Sequence, residues 1–433
     1  MSRAVLARRF PRAYPARVFL PARRNFGVLP ACRYDGIYKE LSATKPRKTW
    51  LQALAEREAG VKLILPANLT EEPAPKRMTD SYHKIILPLS RDEWLVDSYV
   101  NASGQLRLGS FLQDLDALAG VVGYKHTGPS TANVTAAVDR ISIINPLEDL
   151  CDLELSGFVS YVGSSSMEVS IEARRAGHPG DDGLLLTCAF TMVALNPETK
   201  KPTKVSPLIV ETPEEKKIFR GGEARKAAKK AIAKASLTTQ TPTPEESLLI
   251  HATYLTHLQY TDPENPLPKP ETTVYMSETR ISSTAMMQPQ HRNRHSFMIF
   301  GGYLLKVTME LAFCCCSAFA HCRPTFLSLE PSTFQAPVPV GSILYLEATV
   351  AYTERRKEGS RVQVSVRSSV RDVAHGSSTG TGVFNYTFFV GKKVEVMPVT
   401  YSEFITFLDA RRRAKQQATV MDMDDGTATR VTE

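Results

Sequence analysis

Residues Asn101–Gly120 read NASGQLRLGSFLQDLDALAG, and residues Asn293–Phe313 read NRHSFMIFGGYLLKVTMELAF. Each stretch passes from an Asn-bearing loop through a Gly-containing turn into a pattern of helical period, and each pattern carries one acid, Asp116 or Glu310. Pro-containing turns follow at nearly the same offset, at Pro146 and Pro337. Copies this far apart are duplicated domains, since solenoid units run roughly 20–50 residues. The polar positions of the two copies differ, which points to one shared site built from unlike halves.

The strand signals around each helix repeat as well. In the first half an extended stretch passes through Ile85-Ile86-Leu87, and Leu108, Phe111, Leu112, Leu115, Leu118 and Ala119 form one helix face. Strand-like runs follow at 134–144, 153–162, 167–173 and 184–194, separated by turn signals such as Gly180-Asp181-Asp182-Gly183. The second half gives a strand over 273–282, a helix over 302–320, and strands over 343–352, 361–370 and 383–390. Val362, Val364 and Val366 are its clearest period-two set. A helix followed by an antiparallel meander, twice, is α+β, with a curved sheet around each helix and the two sheets meeting edge to edge. The expected boundaries are 1–34 for a presequence, 35–80 for an extension containing a helix over 49–59 and a loop over 66–75, and 81–210 for the first domain. A polar helical linker then spans 211–271, the second domain 272–398, and a C-terminal helix over 404–412 with a polar tail the rest.

The chain has 433 residues, 42% hydrophobic and 23% charged, the composition of an ordinary globular protein of two or three domains. Its longest apolar run, near 311–320, is short of the roughly 18–20 residues a spanning helix needs, so no transmembrane segment is expected. The net charge of +8 is concentrated at the start. Met1–Tyr34 has no Asp or Glu but carries Arg3, Arg8, Arg9, Arg12, Arg17, Arg23, Arg24 and Arg33. Arginine without acid among Leu, Val, Ala and Phe is transit-peptide composition, and it predicts import into the mitochondrial matrix with cleavage near Arg24-Asn25-Phe26; a basic tail is the alternative. Without that segment the chain is near neutral, which removes the charge argument for nucleic acid. One basic cluster remains, ARKAAKKAIAKAS at 224–236, read as a solvated linker helix or as a face for phosphate or lipid headgroups.

Seven cysteines in a large chain bound for a reducing compartment argue against a disulfide framework. Cys314-Cys315-Cys316 point about 100° apart on a helix and cannot converge on one metal. His291 and His295 lack further ligands, so no metal and no cofactor is expected. The string Gly376-Ser377-Ser378-Thr379-Gly380 has the GxSxG form, but a strand pattern follows where a nucleophile elbow needs a helix, so it reads as a hairpin turn. Gly301-Gly302 opens the second helix directly, leaving backbone N–H groups free to meet an oxyanion, and Asn293 could add an amide donor. Asp116, mid-helix among leucines, must be partnered, solvated or chemically employed.

The strings DSYVNASGQLRLGSFLQDLDALAG, LELSGFVSYVGSSSMEV, ETPEEKKIFRGGEARK, FGGYLLKVTMELAF and APVPVGSILYLEATV, in that order, resemble the double hotdog acyl-coenzyme A thioesterases of the mitochondrial thioesterase 9 type. The resemblance spans residues 81–411. It implies two hotdog domains in tandem and hydrolysis of fatty acyl-CoA to free acid and CoA. It also implies a homo-oligomer of two or three chains and a site where the Asn loop of one domain faces the helix acid of the other. Asp116, seven residues after Gly109, would then be the general base, with Asn293 and the Gly301 or Gly302 amide as oxyanion donors. The pseudo-equivalent pair is Asn101 with Glu310; there Met309 occupies the usual acid position. Lys125, Arg140 and Arg294 are candidates for the CoA phosphates. The alternatives are a non-catalytic acyl-CoA-binding protein and a hotdog enoyl-CoA hydratase using Asp116 with His126.

Overall fold

The computed structural model describes residues 37–44, 48–60, 73–145, 150–234, 236–237, 240–294 and 297–428. The Arg-rich segment with its cleavage region and Cys32, and also Pro66, Pro146 and His295, lie outside them. The elements begin with α1 (Trp50–Glu58), β1 (Lys76–Arg77), α2 (Met78–Ser81), β2 (His83–Leu87), α3 (Glu93–Tyr99) and the long α4 (Leu108–Thr127). They continue with β3 (Ala132–Val138), β4 (Ile141–Ile143), β5 (Leu153–Val162), β6 (Ser166–Arg175), β7 (Leu184–Leu195) and β8 (Leu208–Ile209). Two connecting helices, α5 (Pro213–Lys234) and α6 (Pro244–Tyr260), lead to β9 (Thr273–Tyr275), β10 (Ile281–Met286) and the second long helix, α7 (Gly301–Ala320). Then come β11 (Thr325–Leu329), β12 (Ser332–Phe334), β13 (Ile343–Arg355), β14 (Ser360–Arg371), β15 (Ser378–Val390), β16 (Glu395–Met397) and α8 (Tyr401–Ala428).

The expected α+β arrangement is present as one continuous 12-stranded sheet in the order β10-β13-β14-β15-β11-β4-β7-β6-β5-β2, with β12 and β3 bridging β15 and β7. Its strands pair antiparallel throughout. The first half lies against α4, the second against α7, and the two helices pack on each other. Alternation in β14 turns Val362, Val364 and Val366 into the core, where none is exposed. Each large apolar side chain so buried contributes roughly 1.5–3 kcal/mol.

The halves join through short strands, β11 with β4 and β12 with β3. Here the sequence reading needs correction. The run 134–144 is two strands, broken at Asp139-Arg140, and β11 and β12 had no forecast. The breaks let each chain segment change partner, β3 pairing with β12 and β4 with β11. Arg140, in the first break, donates to Glu330, in the second, at 2.9 Å, and Glu330 is 1% exposed. The run 273–282 likewise divides, into β9, a 3-10 turn over Met276–Thr279, and β10. α8 continues to Ala428, well past 412.

Two other expectations resolve clearly. Ser378 begins β15 after a turn with Gly376 at φ +67°, so the GxSxG string belongs to a hairpin. α7 is, by length and composition, long and apolar enough to cross a membrane, contrary to the apolar-run estimate; in the fold its Leu304, Leu305, Leu311, Ala312, Cys315 and Cys316 are core. The basic cluster is solvated over most of its described length, as expected, and two of its cations also reach back to the sheet. On α5, Arg225 forks onto Glu168 at 2.5 and 3.1 Å, Lys229 pairs with Asp139 at 2.7 Å, and Phe219 packs on Tyr161. Glu168 alternates with the inward-facing Met167 and Val169, so α5 covers the sheet face opposite α4.

Candidate active site

Helices α1, α3 and α6 open with side-chain caps from Thr49, Asp92 and Thr243, whereas α4 and α7 have none. Uncapped first turns leave amide N–H groups and the positive end of the helix dipole for another partner. Each long helix turns its acid toward the other's opening. A Cβ added to Gly301 would stand 3.2 Å from Asp116 Oδ2, and one added to Gly302 would stand 3.1 Å from Asp116 Cβ and 2.8 Å from the Gln113 carbonyl oxygen. Reciprocally, a Cβ on Gly109 would stand 3.2 Å from Glu310 Oε1 and from the Lys306 carbonyl oxygen. The helices therefore touch at glycine turns, running in opposite senses, and each turn faces the other helix's acid.

The two acids then differ in their company. Asp116 is fully buried; its Oδ1 accepts from the Thr135 hydroxyl at 2.7 Å, while among the described residues Oδ2 meets no donor at hydrogen-bond geometry. Burial pushes this carboxyl from 3.8 up to about 6, against the opposing pull of the Thr135 hydroxyl and the Gly302 amide. Glu310 is part-exposed and accepts from Arg107 at 2.6 and 2.9 Å. The Asn101 side chain turns inward on its own loop, accepting from Ser103 N at 2.9 Å and Gln105 N at 3.2 Å. The first pair thus presents a dry carboxylate with an open lone pair, and the second an acid already neutralised.

The Asn293 loop is closed at its base, where Asn293 N donates to Met298 O at 2.8 Å and Phe300 N to His291 O at 2.9 Å. His291 stacks on Tyr303 of α7 with centroids 4.0 Å apart, and the Arg294 guanidinium lies 4.6 Å over the Tyr124 ring of α4. The loop of the second half therefore rests on the helix that carries Asp116. Of the other basic candidates, Lys125 donates to Tyr82 O at 2.8 Å, and Arg140 is the sheet-junction partner of Glu330. His126 is buried and bonded to Ser206 O at 2.8 Å, and burial holds its pKa down, so its ring is committed to a backbone carbonyl. That arrangement gives no support to an Asp116–His126 hydratase pair. Among the described residues no group of His, Cys, Asp or Glu is placed to hold a metal.

Sequence reasoning missed two polar residues here. Thr135, in an ordinary strand run, touches Asp116 because β3 returns beside α4; nothing in its local pattern sets it apart. Asp114 is as buried as Asp116 but lies two residues away, about 200° around the helix. It accepts from the Tyr99 hydroxyl and from Tyr38 N, so it fastens the N-terminal extension to α4.

An antiparallel sheet backing two long helices, with one buried carboxylate set against a glycine helix opening, suits cleavage of an activated acyl bond in a water-poor site. Comparison with known proteins is specific. No protein-family model matches the chain. Acyl-coenzyme A thioesterase 9, mitochondrial, of Homo sapiens is 35% identical over 350 residues, 78% of each chain. Acyl-coenzyme A thioesterase 10, mitochondrial, of Mus musculus is 34% identical over 381 residues, 85% of this chain and 84% of that one. Acyl-coenzyme A thioesterase 2, chloroplastic, of Humulus lupulus is 31% identical over 74% of each chain. Among solved structures, an acyl-CoA hydrolase from Staphylococcus aureus aligns at 22% identity and a TM-score of 0.33, covering 37% of this chain and 99% of that one. The chain belongs to the acyl-coenzyme A thioesterase family that includes thioesterases 9 and 10.

Proposed function

We propose that the chain is two hotdog domains in tandem that hydrolyse fatty acyl-CoA to the free acid and CoA at a single composite site. The observation that carries the reading is Asp116: a wholly buried carboxylate, one oxygen unpartnered, aimed at the uncapped opening of the other half's helix. With a pKa of about 6 it is ionised at neutral pH yet still basic enough to take a proton from water, a role typically worth 10²–10⁴-fold. Thr135 fixes its rotamer. The thioester carbonyl lies toward the Asn293 amide and the Gly301 N–H, which hold the oxyanion as water adds; the Gly302 amide already faces Asp116. Such a donor is typically worth about 3 kcal/mol. The Asn101–Glu310 counterpart is inactive because Arg107 neutralises its acid. Lys125 and Arg294 flank the α4 side and meet the CoA phosphates. The chain works in the mitochondrial matrix as a homo-oligomer of two or three copies, in keeping with its acid-free, arginine-rich beginning and the compartment in the names of the thioesterase 9 and 10 relatives.

CoA release followed with a thiol reagent over a series of acyl-CoA lengths tests this. Saturable release with at least one length is expected. Binding of acyl-CoA without release would replace the enzyme with a carrier.

A further inference from the structure

The segment before the first half touches both parts of the composite site. Its upstream end is seated on α4: Tyr38 N donates to Asp114 Oδ1 at 3.2 Å, and Tyr38 and Leu41 are core residues. Downstream, α1 starts with a Thr49–Gln52 capping box, and its Trp50, Ala53, Leu54 and Arg57 share one face. That face covers the outer side of the Asn293 loop. The Trp50 and Phe297 rings lie 5.5 Å apart at 60°, and the Arg57 guanidinium is 5.3 Å from the same Phe297 ring. Arg292 donates to Lys48 O at 2.9 Å and lies 5.8 Å over the Trp50 ring. Asn293 is thus flanked by two arginines anchored on different elements, Arg292 on the extension and Arg294 on Tyr124 of α4.

We infer that the N-terminal extension is a strap that positions the Asn293 loop against α4, with Trp50 as its chief positioning residue. The inference rests on the composite-site reading above. The base of the loop is fixed by the second half itself, through Ile299 N to Val338 O at 2.8 Å and Val340 N to Phe297 O at 3.0 Å. Its outer side chains find their packing on α1. An oxyanion donor must be held to a fraction of an ångström, because a displacement of about 1 Å can cost 10²-fold in rate. Trp50 therefore acts through Phe297 and Arg292 on a group that works in the transition state, and its loss lowers kcat while leaving KM unchanged.

The test uses the full chain and its thioester hydrolysis. Trp50→Ala should lower kcat about tenfold or more at constant KM. Trp50→Phe, which keeps a ring against Phe297, should recover most of that. Phe297→Ala should cost the same as Trp50→Ala, and the double variant no more than either, as expected of residues acting as one contact. Arg57→Met, at an exposed position, is the arm that survives if Trp50→Ala does not fold; it should lower kcat in the same direction. Independently of turnover, Trp94→Phe leaves Trp50 as the sole tryptophan of the two in the chain. Its emission should change on adding CoA, and Phe297→Ala should abolish the change. Wild-type kcat in Trp50→Ala or Arg57→Met, or Trp50 emission indifferent to CoA, overturns the strap. No CoA release by the wild-type chain, with the Trp50 emission change still present in Trp94→Phe, overturns the hydrolase reading instead.

Discussion

Replacing Asp116 with Asn should stabilise the folded chain at neutral pH while disabling it, and the gain should depend on pH in a defined way. Burial raises the carboxyl from 3.8 to about 6. At about 1.36 kcal/mol per pKa unit, keeping the ionised group dry costs folding roughly 3 kcal/mol once both states are ionised. A carboxyl raised in the folded state contributes fully below its unfolded value, near 3.8, and the contribution is lost as pH climbs through about 6. Between pH 5 and pH 8 the wild type should therefore lose about 1.4 kcal/mol relative to Asp116→Asn. The assay is the urea midpoint of both proteins at several pH values in that range. Asn still accepts from Thr135, while its amide meets the Gly302 N–H poorly; that penalty is constant with pH, so the slope and not the offset carries the result. A stability difference flat from pH 5 to pH 8, or one favouring the wild type as pH rises, would refute a desolvated carboxylate at this position.

Thr135→Val removes a hydrogen bond that favours the ionised acid, so the acidic limb of the kcat/KM profile should move to higher pH, read from initial rates over pH 5–8. Glu310→Gln should leave turnover within about twofold and cost at most about 1 kcal/mol, because its pair with Arg107 is half-exposed; a large loss of rate would make the second half-site active. Gly302→Ala should destabilise by about 1–3 kcal/mol in thermal unfolding, since its methyl would stand 2.8 Å from the Gln113 carbonyl oxygen and the helices would have to part.

The elements that pack on their own half were legible in the sequence. The helices α4 and α7 announced themselves through apolar spacing, the second within one residue of its start at Gly301, and β13 to β15 through alternation. What depended on partners from the other half was not. The apolar alternation shifts phase at Asp139-Arg140, from Val134, Ala136 and Val138 to Ile141 and Ile143, but the partners taken up on either side of that break belong to the second half's strands and have no local signal. Docking of α5 was hidden because Glu168, the anchor for Arg225, sits among core residues of β6 and reads as an ordinary outward polar position. Asp116 was recognisable as a carboxylate in apolar company, but its dryness follows from Gly301 and Gly302 covering it, and Thr135 owes its role wholly to tertiary return.

The most direct measurement is single-turnover cleavage of an acyl-CoA by Asp116→Asn beside its affinity for CoA. A unit that contributes only the base predicts cleavage reduced by at least about 10² with affinity within a few-fold of wild type. Cleavage at the wild-type rate in that variant would contradict the composite site.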